Sequence, residues 1–137
     1  MTYTTTAKAV RGGLLTAAAL LVACAGPAEA AAKSPGDWLY LTVSRGEARS
    51  YDTRGTLLLC DPPQGHARAA EACAELDATG GDLRALPPRD TFCPMVHAPV
   101  TVHARGEWHG RPVDYTETFS NACVMAASTG AVFALDG

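Results

Sequence analysis

The segment Phe92-Cys93-Pro94-Met95-Val96-His97-Ala98-Pro99 holds the residue types from which a rigid, substrate-like loop can be built. A chain that blocks a protease must offer a peptide bond in extended form and yet resist cleavage and release. Freezing a flexible loop costs about 1–2 kcal/mol of backbone entropy per residue, so a loop already fixed by covalent anchors binds more tightly than a free peptide. Pro94 sets its own φ near about −65° and pushes Cys93 toward an extended conformation, and a disulfide at Cys93 would tie the loop to the folded body. Met95 is unbranched and apolar, suited to a deep hydrophobic pocket. Pro99 favours an extended residue at Ala98. The same pattern fits a strand start with Met95 and Val96 buried, and spacing by itself favours that reading, since exposed apolar loops are uncommon.

Two further sets of residues bear chemistry. His97, His103 and His109 recur every six residues, and imidazole is a frequent zinc ligand. If one strand carried His97 and His103 they would share a face. A turn expected at Arg105-Gly106 redirects His109, however, and no nearby cysteine or acidic pair completes a tetrahedron, so no metal and no cofactor are expected. The cysteines are Cys24, Cys60, Cys73, Cys93 and Cys123. Four of them, after Cys24 is set aside, imply two disulfides in an exported small domain, with 3 pairings open. The chain contains no Gly-x-Ser-x-Gly, His-Glu-x-x-His or Cys-x-x-Cys, and all four remaining cysteines are better used as crosslinks, so an enzyme is not expected.

Export is read from the N-terminus. Lys8 and Arg11 precede an apolar, alanine-rich run from Leu14 to Ala23, followed by small residues ending Ala28-Glu29-Ala30, the layout of a secretory signal peptide over residues 1–30. Release after Ala30 leaves residues 31–137 as one domain, secreted and not membrane-bound. Leu21-Val22-Ala23-Cys24 also reads as a lipobox, which would make Cys24 a lipid-anchored N-terminus instead. The net charge of −3 moves to about −4 once Lys8, Arg11 and Glu29 are removed. The basic residues form no stripe, which argues against nucleic acid as a partner.

The elements that must position the loop follow from periodicity. Trp38 to Ser44 and Gly55 to Cys60 read as strands. Ala69, Ala72, Cys73 and Leu76 share one side of a helix spanning His66 to Ala78, ended by Gly80-Gly81. An irregular surface stretch follows from Gly80 to Pro99. Val100 to Ala104 resumes a strand, Glu107 to Phe119 supplies another interrupted at Gly110 and Pro112, a pair that suggests a hairpin with a bulge or an edge, Cys123 to Ala127 reads as a short helix, and Ala131 to Leu135 as a last strand. Strands with one main helix predict an α+β arrangement: an antiparallel sheet covered by helix on one face.

The chain resembles the Streptomyces subtilisin inhibitor family. The resemblance runs through Leu39-Tyr40-Leu41-Thr42-Val43, Leu58-Leu59-Cys60, Ala72-Cys73-Ala74-Glu75-Leu76, Gly80-Gly81-Asp82-Leu83, Cys93-Pro94-Met95-Val96, Trp108-His109-Gly110, Val113-Asp114-Tyr115, Phe119-Ser120-Asn121-Ala122-Cys123 and Val132-Phe133-Ala134. It implies a five-stranded antiparallel sheet covered by two helices, disulfides joining Cys60 to Cys73 and Cys93 to Cys123, and a homodimer. It also implies inhibition of subtilisin-like, and by extension chymotrypsin-like, serine proteases, with the reactive bond between Met95 and Val96. Met95 would enter the primary pocket, Cys93 and Pro94 would lie before it, Val96 and His97 after it, and Asn121 would support the loop backbone. The chain departs from the family at Arg105-Gly106, usually Asp-Gly in a tight hairpin, at His97-Ala98, and at its Leu135-Asp136-Gly137 end. The alternative is a secreted or lipid-anchored binding protein that keeps the fold and inhibits nothing.

Overall fold

The computed structural model describes residues 12–13, 36–46 and 52–136. The expected leader over 1–30, the cut after Ala30 and the lipobox at Cys24 lie outside the described residues. All elements fall within the compact unit Ala31–Gly137.

The central strand β1 (Trp38–Arg45) buries Leu39, Leu41 and Val43 and turns Tyr40 outward, the alternation of a strand with one wet face. It pairs antiparallel with β2 (Asp52–Cys60) on one side and with β4 (Val100–Trp108) on the other. A two-residue strand β3 (Pro63–Gln64) closes the β2 edge, β5 (Arg111–Phe119) closes the β4 edge, and the sheet order is β3-β2-β1-β4-β5. Leu58, Val100, Val102, Ala104, Trp108 and Tyr115 join the β1 leucines on the inner face. Each fully buried leucine of that layer contributes about 1.5–3 kcal/mol.

The helices cover that face. In α1 (Ala69–Ala78) the buried residues are Ala69, Ala72, Cys73 and Leu76, the stripe read from spacing, and Cys73 is crosslinked to Cys60 at the end of β2. Gly81 ends the helix by donating its N–H to the Leu76 carbonyl at 2.9 Å. Its φ is +82°, and a Cβ there would meet Trp108 at 2.4 Å, so conformation and packing both demand glycine. The second helix α2 (Ala122–Thr129) buries Met125 and Thr129, and Cys123 in its first turn is crosslinked to Cys93. The architecture is thus a five-stranded antiparallel sheet with two helices and two disulfides, paired as the family resemblance implied.

Two expectations need correction. The chain does not turn at Arg105-Gly106: both lie within β4, and Gly106 is opposite Leu39 and Val113. Gly106 is there for close approach, since a Cβ would fall 2.1 Å from the Trp38 carbonyl oxygen. The hairpin lies instead at His109-Gly110, with φ of 49° and 74°, the all-positive geometry that matches strand twist. Asp37 Oδ1 accepts the His109 N–H at 2.6 Å and steadies the non-glycine residue there. Ala131 to Leu135 is not a strand; Ala131, Val132 and Phe133 are buried consecutively in turns that start at Gly130. Alternation is absent, and Glu75 accepts the Ala131 N–H in place of a strand partner. The fifth strand is Pro63–Gln64.

The outer face of the sheet carries Tyr40 and Leu57, 47% and 44% exposed, opposite one another in the β1–β2 register.

Candidate functional site

Between the short 3₁₀ turn Leu83–Ala85 and β4 the chain has no regular structure. In this stretch Met95 is 105%, Phe92 95% and Val96 55% exposed. The strand reading of this segment, with Met95 and Val96 buried, is therefore wrong. Three large apolar side chains face solvent from five consecutive residues, a concentration characteristic of a binding surface.

Solvent-facing side chains need a backbone held from behind, and one segment supplies most of that support. Asn121 precedes α2 with extended φ and ψ of −163° and 172°, and its Oδ1 accepts the Val124 N–H at 2.9 Å, capping the helix. This leaves Nδ2 facing the loop, where it donates to the carbonyls of Pro94 at 3.1 Å and Val96 at 2.9 Å. The side chain is 6% exposed and uses its acceptor and both donor hydrogens. Those two carbonyls flank the Met95–Val96 peptide bond, so a single amide fixes the backbone before and after it. Cys123, two residues on, crosslinks to Cys93.

Further along, Arg89 N–H donates to the Ala127 carbonyl at 2.7 Å, Ala98 N–H to Ser120 at 2.8 Å, and Gly46 N–H to Pro99 at 3.2 Å. The loop is thereby held by main-chain bonds at both ends and by a disulfide and an amide in the middle. Between loop and helix lies an open groove of about 300 Å³ lined by Met95, Val96, His97, Asn121 and Val124.

The sequence reading missed several of these residues. Arg89 reaches back to α1, donating to Glu75 at 2.6 Å and Glu71 at 3.2 Å. Glu71 also pairs with Arg68, whose hydrogen bond is the chief cause of its carboxyl lying below the usual range, and Glu75 holds the Ala131 N–H with its other oxygen. Exposed pairs such as Arg68–Glu71 contribute little singly; Glu75 matters as the junction of α1, the loop start and the turn after α2. Nothing in the spacing of Glu71, Glu75 and Arg89 announces this. Phe92 was visible as an apolar neighbour of Cys93, yet only its exposure marks it.

The three histidines do not converge. His97 is exposed on the loop, His103 Nε2 lies 3.0 Å from Asp114 Oδ1, and His109 Nε2 lies 3.1 Å from Asp37 Oδ2.

Known proteins resemble this chain in sequence and fold. Residues 35–121 match the family model described as subtilisin inhibitor-like. A Streptomyces avermitilis protein, provisionally named a serine protease inhibitor, is 57% identical over 134 residues, covering 96% of this chain and 90% of its own length. The subtilisin inhibitor of Streptomyces albogriseolus is 45% identical over 101 residues, with 70% of each chain covered. Among solved structures, Streptomyces caespitosus sermetstatin in complex with Bacillus licheniformis subtilisin matches with a TM-score of 0.57 at 38% identity, over 71% of this chain and 96% of that one.

Proposed function

The chain belongs to the subtilisin inhibitor-like family, a family of protease inhibitors and not of enzymes, and from that premise we propose that it is a secreted inhibitor of subtilisin-like serine proteases with Met95–Val96 as its reactive bond. The observation that carries this reading is the exposed Met95 side chain on a backbone pinned by Asn121 on both sides of the bond to Val96.

In this mechanism Met95 enters the primary pocket of the protease and its carbonyl meets the attacking serine as a substrate carbonyl would. Cys93 and Pro94 lie in the cleft before it, and Val96 and His97 after it. Cleavage frees the Val96 amine, but Asn121 and the Cys93–Cys123 crosslink keep both new ends in place. The amine then stays beside the acyl-enzyme at a high effective concentration and re-forms the bond faster than water enters. Because the loop is ordered before binding, little entropy remains to be lost on docking. An unbranched methionine suits broad apolar pockets, which extends the target class to chymotrypsin-like enzymes.

The leader over residues 1–30 supports export, with lipid attachment at Cys24 as the competing start. The outer sheet face bearing Tyr40 and Leu57 supports a homodimer formed by a second copy.

Titration of subtilisin with the purified protein tests the reading. Stoichiometric loss of activity is expected. Full activity at a micromolar excess would leave a binding protein on an inhibitor fold. Mass spectrometry of the exported protein should find Ala31 as the first residue rather than a lipidated Cys24.

A further inference from the structure

We propose that Asp37, Asp77 and His109 form a binding site for zinc. One ligand atom from each lies within 4.8 Å of the other two, although the residues come from three separate parts of the chain: the residue before β1, the last turn of α1 and the β4–β5 hairpin. Spacing singled out His109 as a metal ligand but offered it the wrong partners, two further histidines. Folding supplies two carboxylates instead.

The hairpin sets the imidazole in place. The His109 N–H donates to Asp37 Oδ1 at 2.6 Å, and His109 Nε2 lies 3.1 Å from Asp37 Oδ2. Asp77 approaches from α1, and among the described residues it has no ion-pair partner. Zinc binds imidazole nitrogen and carboxylate oxygen at about 2.0–2.2 Å, so donor atoms around one tetrahedral ion stand roughly 3–3.5 Å apart. The Asp37–His109 pair already stands at that spacing, 3.1 Å, and a ligand atom of Asp77 lies within 4.8 Å of one from each. Three protein donors leave one position for water. The imidazole selects zinc over calcium, which takes about 6–8 oxygens.

A zinc ion here would clip the start of β1, the end of α1 and the hairpin together. The hairpin is at the opposite end of β4 and β5 from Pro99 and Ser120, and a nine-residue strand spans roughly 30 Å, so the ion would sit well away from the Met95 loop. The site is therefore independent of protease inhibition.

Calorimetric titration of the chelator-treated protein with zinc should show one ion per chain. At zinc one-hundredfold above its Kd the melting temperature should rise by roughly 10 °C. Asp77→Asn, an exposed change, and His109→Asn, which keeps a residue tolerant of positive φ, should each weaken zinc binding at least tenfold while subtilisin titration stays unchanged. His97→Gln and His103→Gln should leave zinc binding as it is. No zinc uptake, uptake insensitive to Asp77→Asn and His109→Asn, or uptake lost with His97 or His103 would each overturn the proposal.

Discussion

Replacing Asn121 separates helix capping from loop support. In Asn121→Ala the cap on Val124 is lost, at about 1 kcal/mol, together with two neutral hydrogen bonds to Pro94 and Val96. Such bonds are each worth about 0.5–1.5 kcal/mol net. Pro94 and Val96 are exposed, so water can re-solvate their carbonyls, and the pair contributes nearer 2 than 3 kcal/mol, by the order of magnitude of neutral hydrogen bonds. If that energy is spent holding the loop in its bound form, inhibition weakens roughly 30-fold. Asn121→Asp discriminates further. Its carboxylate still accepts from Val124 and sits well at a helix N-terminus, but it has no hydrogen to give and turns a negative charge on two carbonyl oxygens. The aspartate variant should therefore unfold in urea closer to the parent than the alanine variant does, and yet inhibit subtilisin at least as poorly. Inhibition constants, urea midpoints and the rate of Met95–Val96 cleavage followed by mass spectrometry read the three effects separately. Two folded variants that inhibit within threefold of the parent, with no faster cleavage, would refute the role given to this amide.

Met95→Lys should move preference toward trypsin-like enzymes, and Met95→Gly should weaken subtilisin binding by about two orders of magnitude, the cost of leaving a primary pocket unfilled; paired inhibition assays measure both. Phe92→Ala should weaken inhibition roughly tenfold with no change in melting temperature, because a side chain 95% exposed contributes only when a partner covers it. His66 is held below its ordinary value of 6.5 chiefly by burial, against a smaller raising effect from its Val132 hydrogen bond, and Arg68 lowers it further. The unfolded chain thus takes up that proton first as pH falls, so this contribution is whole above about 6.5 and is lost as pH drops through the folded value; urea midpoints across that range should be flatter in His66→Gln. Gly106→Ala should cost roughly 3 kcal/mol or more in denaturant unfolding, since the clash is with β1 backbone, which has little room to give.

The core was legible wherever one residue's neighbours repeat at a fixed period. Leu39, Leu41 and Val43 announce a half-buried strand, and Ala69, Ala72, Cys73 and Leu76 a helix face, because burial on one side imposes the spacing. The β4–β5 turn was legible only in part, because two Gly-containing pairs competed for it. Arg105-Gly106 and His109-Gly110 look alike in sequence, and only β1, lying across Gly106, distinguishes a glycine needed for close approach from one needed for a turn. Ala131 to Leu135 has the composition of a strand, but Ala131, Val132 and Phe133 are buried one after another and fill the core from consecutive turns. At the loop, local chemistry showed the proline and the anchoring cysteine. The two bonds from Asn121 depend on residues 25 and 27 positions apart and leave no trace in spacing.

The anchors of the loop have a common property. Asn121, Ser120 and Ala127 meet it only at main-chain carbonyls and amides, and the disulfide uses Cys93 alone. The support is therefore blind to side-chain identity at positions 92, 95, 96 and 97. Those four residues can be rewritten without repacking anything beneath them, which makes the loop a display frame: selection on a randomised library should change the protease recognised while the scaffold's melting temperature barely moves.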